Sequence, residues 1–145
     1  MIEIKETDLN EETLDKLIDL SRKWYEEDIT YGYRVNELSD LENKKIFIVL
    51  DGSEIIGYLT GHYYQSDTMN SVIANGTRCF EVDEFYIRED CRNNGLGSKL
   101  FGHMENNIDA EFISLSVANK NYVPILRLYD ELGMRTHSVR LFKKK

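Results

Sequence analysis

The sequence predicts an α/β fold built on a single mixed β-sheet flanked by helices. Residues 82–87 are rich in β-branched and aromatic side chains, and from Leu96 apolar residues recur at helical spacing, so a strand leads into a helix. Residues 111–118 then alternate as a strand does, and the helical crossover makes this strand parallel to the previous one. An earlier pair of strands, joined by the turn Asp51-Gly52, predicts an antiparallel hairpin.

The N-terminal third is predicted to hold a strand and two helices. Residues 2–5 alternate as a short first strand, and Asn10 supplies the N-cap of a first helix that has an acidic first turn. One face of this helix carries Leu14, Leu17, Ile18, Ser21, Trp24 and Tyr25. A shorter second helix is predicted over about 35–43.

The central segments are predicted to form a hairpin and a loop. Residues 45–50 and 55–64 are the two hairpin strands. Gly57 and Gly61 within the second of them indicate a close backbone approach or a bulge. The polar segment 65–77 is predicted to be a loop.

The C-terminal part is predicted to hold a helix and the end of the sheet. Asn121 is expected to cap the helix, and Pro124 is tolerated in its first turn. The apolar face of this helix contains Ile125, Leu128, Tyr129 and Leu132. Gly133 ends the helix, and residues 134–142 are expected to contribute one or two last strands.

Length and composition indicate that residues 1–145 form a single globular domain. A hydrophobic content of 41% with only one proline separates the chain from disordered proteins. Because no apolar run could span a bilayer and the N-terminus does not read as a signal peptide, a cytoplasmic protein is expected. Cys79 and Cys91 are accordingly expected to be free thiols.

The formal net charge of -8 bears on the partners of the protein. Its field repels nucleic acid and anionic membranes and attracts cationic small molecules, although many proteins are this acidic for solubility alone. Arg88, Arg92 and Lys99 nevertheless gather basic charge around one loop. An anionic cofactor is therefore expected there.

That loop, residues 92–97, reads Arg-Asn-Asn-Gly-Leu-Gly and joins the central strand to its helix. Its glycines and asparagines tolerate positive φ and leave backbone N–H groups uncovered at the helix start, which predicts an anion cradle. Two rival phosphate motifs fit less well. A P-loop needs Lys before Ser or Thr, whereas Gly97 is followed by Ser98-Lys99, and a dinucleotide fingerprint needs a small residue in place of Leu100.

The loop resembles motif A of the GNAT N-acetyltransferase superfamily, Arg/Gln-x-x-Gly-x-Gly/Ala, which reads here Arg92-x-x-Gly95-x-Gly97. In that family the loop amides bind the pyrophosphate of acetyl-coenzyme A, in agreement with the anion cradle. The resemblance implies the GNAT acyl-CoA N-acyltransferase fold, with a central mixed sheet of about six to seven strands and about four helices. It also implies acetyl-CoA as co-substrate and no metal.

A second match supports the first. Motif B of the family has an Asn near the end of the next strand and a Tyr eight residues later, before Gly-Phe, and this chain has Asn121, Tyr129 and Gly133-Met134. The resemblance covers residues 78–133. It implies that Asn121 contacts the pantetheine arm and that Tyr129 is the general acid.

The same resemblance implies where coenzyme A binds. Backbone groups at the end of the central strand would face the pantetheine arm, and the loop would hold the pyrophosphate. The cofactor-binding residues implied are Phe85, Tyr86, Ile87, Arg92, Asn93, Asn94, Gly95, Leu96, Gly97, Ser98 and Asn121.

Acetyl transfer to an amine requires a base, because an alkylamine has a solution pKa of about 10 and attacks only when neutral. In several family members a strand Glu eleven residues before the first motif residue is this base, and that offset gives Glu81. Others use a carboxylate nearer the motif or a water chain, which leaves Glu84 and Asp83 as alternatives. Alternation sends Glu81 and Asp83 to one face of the sheet and Glu84 to the other, unless a bulge intervenes. The alternative that all three carboxylates simply face solvent also stays open.

The resemblance implies an N-acetyltransferase that acts on a primary amine, such as a polyamine, an aminoglycoside or an amino-terminal group. Since the first two helices and their connection line the acceptor pocket in the family, Glu26, Glu27 and Asp28 are candidate amine contacts. The alternative is a non-catalytic GNAT-fold module that senses acyl-CoA or another ligand, but a pure binder has no need of Tyr129 as an acid. The acceptor, the acyl length and the oligomeric state, including a homodimer, stay open.

Overall fold

The computed structural model of the protein describes residues 1–67 and 72–145. In these ranges five strands form one sheet in the order β1-β2-β3-β4-β5. The elements are β1 (Ile2–Thr7), α1 (Glu11–Glu27), α2 (Leu38–Leu41), β2 (Lys45–Asp51), β3 (Glu54–Gln65), β4 (Arg78–Ile87), a 3-10 turn (Glu89–Cys91), α3 (Leu96–Asn106), β5 (Phe112–Leu115) and α4 (Val123–Glu131). The predicted α/β class is confirmed, although the sheet of the described residues has five strands where six to seven were expected.

The strand directions confirm the predicted hairpin and crossover. Neighbouring strands are antiparallel from β1 to β4, whereas β5 runs parallel to β4. Gly52 in the hairpin turn has a φ of 62°, which is the left-handed conformation that an Asp-Gly turn requires. The sheet is therefore mixed, and α3 carries its only parallel connection among the described residues.

The core consists of two apolar clusters, one on each face of the sheet. The cluster beneath α3 includes Phe47, Phe80, Leu100, Phe101 and Met104. The cluster beneath α1 and α2 includes Leu17, Leu20, Leu41, Tyr58 and Tyr86. Full burial of such side chains contributes about 1.5–3 kcal/mol each, so the two faces hold their helices firmly. None of the helices in the two described ranges is long and apolar enough to cross a bilayer.

The first helix begins as predicted but turns a slightly different face to the sheet. The side chain of Asn10 accepts a hydrogen bond from the Thr13 amide at 2.9 Å, which confirms the N-cap. Tyr25 was expected on the buried face and is 55% exposed, whereas Leu20 is buried. Helical geometry places Tyr25 about 80° from Leu17 around the axis, at the margin of the covered stripe.

The second helix is shorter than the predicted 35–43. Glu37 is extended, with φ -112° and ψ 173°, and its amide donates to the Asp40 carboxylate at 2.8 Å. Asn43 has a left-handed φ of 64°. Neither conformation fits inside a helix, so the helix is confined to the residues between them.

Two glycines of β3 mark close backbone approaches, as predicted. A Cβ on Gly57 would lie 2.6 Å from Cδ1 of Ile87, and one on Gly61 would lie 2.5 Å from the carbonyl oxygen of Glu81. Real Cβ atoms do not approach other atoms so closely. The β3–β4 pairing is therefore tight because these two residues lack side chains.

A β-bulge interrupts that pairing. Thr60 pairs with Glu84 and Gly61 pairs with Val82, so Asp83 is the extra residue of β4. An extra residue reverses the alternation of the side chains beyond it.

The bulge decides which face receives the central carboxylates. Phe80, before the bulge, packs in the cluster beneath α3, whereas Tyr86, after it, packs beneath α1. Glu81 and Glu84 therefore both lie on the α1 face. The expectation from simple alternation, that Glu84 lies on the face opposite to Glu81, is wrong because Asp83 shifts the parity.

The end of the chain departs from prediction in two ways. The N-cap of α4 is Tyr122, not Asn121, so the helix begins at Val123 and Pro124 lies in its first turn, where a missing N–H costs no helical hydrogen bond. Residues 134–142 form no strand, and their apolar side chains at 139, 141 and 142 are exposed. Gly133 does end the helix, with a φ of 87°.

The polar segment predicted as a loop is only partly described, since residues 68–71 lie outside the described residues. Its two ends come together where the Ser66 amide donates to the Thr77 carbonyl at 2.9 Å. Gln65 is the last residue of β3, and the rest of the described segment is a loop, as predicted. Cys79 and Cys91 are free thiols, also as predicted.

Candidate active site

A cavity of about 550 Å³ lies at the carboxyl end of β4. It is enclosed on one side by the end of β4, the loop 92–97 and the start of α3. The segment after α1, the segment after β5, and α4 complete its walls. The predicted site residues that line it are Asp83, Glu84, Phe85, Tyr86, Ile87, Arg92, Asn93, Gly95, Leu96, Gly97, Ser98 and Tyr129. The structure thus brings most of the predicted site together in one space.

The cavity opens where β4 and β5 separate. Their parallel pairing runs from Cys79 with Phe112 to Val82 with Leu115, and it stops at the residue before the bulge. Beyond this point Phe85 to Ile87 on one side and residues 116–118 on the other line the cavity instead of pairing with each other. Backbone groups on this side of β4 are therefore available to an extended ligand, in the way that a strand is added to a sheet edge.

The loop 92–97 has the backbone that an anion cradle requires. Asn93 and Gly95 have φ values of 66° and 76°, and Gly95 is the N-cap of α3. The first helical bond runs from the Lys99 amide to the Gly95 carbonyl, so the amides of the preceding turn have no helical acceptor. These amides and the helix dipole favour an anion such as a pyrophosphate.

Two of the three basic side chains expected around the cradle, those of Arg88 and Arg92, are paired with carboxylates. Arg92 donates from both Nη atoms to Glu27, at 2.7 and 2.8 Å, and from Nε to the Ile87 carbonyl at 2.8 Å. Arg88 is paired with Glu54 and, through Nε at 2.6 Å, with Asp90. Both arginines are therefore already engaged with carboxylates.

Glu84 is the carboxylate best placed for chemistry in the cavity. It accepts hydrogen bonds from the Tyr58 hydroxyl at 2.7 Å and from Nδ2 of Asn36 at 2.5 Å. Burial raises the pKa of its carboxyl above the ordinary value, and hydrogen bonds from Tyr58, Asn36 and Tyr33 oppose part of that rise. Asn36 and Tyr58 were not predicted as site residues, and no local sequence pattern connects them with Glu84.

The other two candidate bases are engaged elsewhere. Glu81 accepts a hydrogen bond from Ser114 and is not among the residues that line the cavity. Asp83 borders the cavity, but its carboxylate lies 2.8 Å from Nζ of Lys44 and 2.7 Å from Nδ1 of His62. The geometry therefore favours Glu84 over both.

Tyr129 reaches the cavity from the apolar face of α4. Its ring centroid lies 6.3 Å from that of Phe85 and 6.4 Å from that of Phe101. Burial raises the pKa of its phenol to about 12, so the hydroxyl stays protonated at neutral pH. A protonated phenol beside the cradle can donate a hydrogen bond to a departing anion.

Two predicted cofactor residues lie outside the lining. Asn94 and Asn121 are both exposed, and neither borders the cavity. Asn119 borders it instead and forms an isolated β-bridge with Thr30. Asn119 lies two residues nearer to β5 than Asn121, and this second asparagine was the signal in the sequence that could have identified the lining residue.

The segment after α1 forms the wall opposite to α4. Trp24, Ile29, Thr30 and Tyr33 line this wall, and Nε1 of Trp24 donates to Oγ1 of Thr30 at 2.9 Å. The acidic residues proposed as amine contacts do not line it.

Those acidic residues have other surroundings. Glu27 is bonded to Arg92, Asp28 accepts a bond from Lys120 at 2.8 Å, and Glu26 is exposed. An amine in the cavity would therefore meet Glu84 before it met any of them.

Among the residues that the structure describes, no group of three or more His, Cys, Asp or Glu side chains could hold a metal ion.

An amide cradle at a helix start, a slot between two separating strands, and a carboxylate and a tyrosine thus share one cavity. The sequence model described as the acetyltransferase (GNAT) family matches residues 11–134, and the chain belongs to this family. The predicted resemblance is thereby confirmed. No curated protein matches the chain.

Solved structures share the fold. A putative acetyl transferase from Pyrococcus furiosus is 20% identical with a TM-score of 0.72, over 99% of this chain and 100% of that one. An aminoglycoside acetyltransferase from an uncultured soil metagenomic sample, in complex with sisomicin, is 15% identical with a TM-score of 0.71, over 99% and 96%. A ribosomal-protein-alanine N-acetyltransferase from Brucella melitensis biovar Abortus 2308 is 11% identical with a TM-score of 0.72, over 100% and 99%.

Proposed function

We propose that the protein transfers the acetyl group of acetyl-CoA to a primary amine, and that the acceptor is a small cation. The observation that carries this proposal is the single cavity shared by the amide cradle, Glu84 and Tyr129. Acetyl-CoA supplies the activated acyl group as a thioester. The residues of this chain supply the binding, the base and the hydrogen-bond donor.

Glu84 is the base in this proposal. The amine arrives protonated, with a solution pKa of about 10, and must lose a proton to attack. A carboxylate whose pKa is raised by burial accepts a proton more readily than an ordinary one. Asn36 and Tyr58 hold the carboxylate in place, since both donate to the same oxygen, Oε1.

Tyr129 stabilises the leaving group. With its pKa at about 12, full proton transfer to a thiolate of ordinary pKa near 8.5 is uphill by roughly three to four units. A hydrogen bond from the phenol to the sulfur as negative charge develops is therefore its main contribution. The C–S bond breaks as the C–N bond forms, and the thiolate takes up, through solvent, the second proton that the amine nitrogen loses when it becomes an amide.

The acceptor side supports a cationic amine. Glu84 is partly buried at the cavity wall, and the chain carries a net charge of -8. Two of the solved neighbours are aminoglycoside acetyltransferases, and a third acts on ribosomal-protein alanine by its description. The free thiols Cys79 and Cys91 are consistent with a reducing compartment, so we propose the cytoplasm as its location.

The test is an acceptor panel assayed by thiol release from acetyl-CoA, with calorimetry of coenzyme A binding in parallel. The panel contains sisomicin, spermidine and a peptide that begins with alanine. Turnover on at least one of them supports the proposal. Coenzyme A binding without turnover on any amine would favour the sensing module instead.

The cradle itself is tested by a matched pair at Gly97. A Cβ at this position would meet Phe85 at 3.6 Å, an ordinary contact, so both Gly97→Ala and Gly97→Asp should fold. Only the aspartate adds a negative charge at the helix start, and it should weaken coenzyme A binding by about tenfold or more. Calorimetry showing equal affinities for the two folded variants would argue against phosphate binding at this helix end.

A further inference from the structure

The carboxylate of Glu27 joins the end of α1 to the first residue of the cradle loop. It receives two hydrogen bonds from Arg92 and a third from the Tyr86 hydroxyl at 2.5 Å. Its side chain is only 11% exposed, and that of Arg92 is 31% exposed. This is a bidentate pair in a largely dry setting, unlike the exposed pair of Glu12 and Lys16 near the start of α1.

Breaking such a pair is costly in free energy, so it holds the groups that it joins together. Removing one partner of a buried ion pair leaves the other charge without compensation, which costs far more than breaking a surface pair. Arg92 is also bonded through Nε to the carbonyl of Ile87, at the end of β4. The pair therefore connects α1, β4 and the cradle loop at one point.

A column of stacked groups leads from this point across the cavity wall. The guanidinium of Arg92 lies 5.3 Å from the ring centroid of Tyr86. Tyr86 stacks on Trp24 at 5.2 Å, and Trp24 stacks on Tyr33 at 4.1 Å, with interplanar angles of 8° and 16°. The rings are nearly parallel, so displacement of one is transmitted to the next.

The far end of the column reaches the proposed base. The Tyr33 hydroxyl lies 2.5 Å from Oγ of Ser21 and 3.5 Å from the Tyr58 hydroxyl, which in turn donates to Glu84. Contiguous contacts thus run from the cradle loop to Glu84. Packed and hydrogen-bonded chains of this kind can carry energetic coupling between two sites.

We propose that Glu27 is a positioning residue that couples the coenzyme cradle to the acceptor side of the cavity. This inference rests on the proposed function, because coenzyme A is taken as the ligand of the cradle. Arg92 is held by Glu27 and so does not switch to the phosphates. A ligand that draws the loop amides toward itself therefore moves the Arg92–Glu27 pair, and with it Tyr86 and Trp24.

Trp24 is the single tryptophan of the chain and lies in the middle of this column, so its fluorescence responds to movement of the column. Because Trp24 also borders the cavity, a ligand there can change its emission by direct contact, and the comparison with Glu27→Gln separates the two effects. Wild-type protein and Glu27→Gln are titrated with coenzyme A, and each affinity is measured by calorimetry so that the two are compared at saturation. Wild type should show a change in tryptophan emission. In Glu27→Gln the change at saturation should fall below about half of the wild-type value, since the neutral amide cannot hold Arg92 as a bidentate partner.

Glu12→Gln is the matched control. It removes the same charge from the same helix, but its pair with Lys16 is exposed, so its emission change should equal that of wild type. A saturated Glu27→Gln with a full wild-type change would overturn the coupling, as would a wild type that binds coenzyme A with no change in emission. If Glu27→Gln does not fold, Tyr86→Phe takes its place, because it removes the hydrogen bond to Glu27 and keeps the stacked ring. Absence of coenzyme A binding to wild type would instead refute the proposed function.

Discussion

At the scale of single residues, burial determines what Glu84 can do. A carboxyl group in water is a weak base toward an ammonium ion, and the raised pKa of Glu84 improves that match. The proton can be accepted only by the charged carboxylate. Turnover should therefore fall as pH falls through the raised pKa of Glu84.

Glu84→Gln tests this role directly. We expect kcat/KM to drop by about 10²-fold near neutral pH, with a smaller deficit at alkaline pH, where the amine loses its proton unaided. Rates over a pH series measure both effects. Glu81→Gln is the matched control and should retain nearly full activity, since Glu81 does not line the cavity. Collapse of activity in Glu81→Gln alone would move the base to that residue.

Tyr129→Phe tests the hydrogen bond to the leaving group. The variant keeps the aromatic ring against Phe85 and Phe101, so coenzyme A affinity and thermal stability should change little. We expect kcat to fall by roughly 10²-fold if the chemical step limits turnover. Steady-state rates with a saturating amine measure this. Full kcat in the variant would make Tyr129 a packing residue only.

At the scale of secondary-structure elements, the β3–β4 pair creates the site. The bulge at Asp83 turns Glu84 toward α1 and ends the β4–β5 pairing at Val82, which opens the slot between those strands. Gly61 permits the bulge, because its backbone lies against Glu81. One irregularity thus places the proposed base and opens the proposed cofactor slot.

Gly61→Ala should weaken this element. Its Cβ would press on the Glu81 carbonyl and the Phe80 ring, and we expect a loss of about 1–3 kcal/mol in the free energy of unfolding. Gly102→Ala in α3 is the control, because its Cβ meets no atom within 4 Å, and it should stabilise the protein by up to about 1 kcal/mol. Urea unfolding measures both. If Gly61→Ala and Gly102→Ala were equally stable, β3 and β4 could move apart at that point at little cost in free energy.

At the scale of the whole molecule, charge should affect the encounter with the acceptor. The net charge of -8 attracts polycations, and salt screens that attraction over about 8–10 Å. For acceptors that the enzyme acetylates, kcat/KM should decrease with ionic strength, and more steeply for a polyamine than for a monoamine. Equal slopes for the two would show that the field of the protein does not guide the acceptor.

The sequence by itself determined the features that depend on neighbouring residues. Helical and strand periodicity, the Asp51-Gly52 turn and the glycines of the loop 92–97 act through local backbone preferences, so the mixed sheet and the amide cradle could be predicted. The loop pattern also identified the family.

Only the tertiary structure decided which partners the charged groups have. Glu84 obtains its environment from Asn36 and Tyr58, and Arg92 is neutralised by Glu27, 65 positions away along the chain. Such contacts arise when separate elements pack, and no spacing in the sequence records them. The missing last strand has the same cause, since pairing of residues 134–142 with a sheet edge depends on how the elements pack and not on local preference alone.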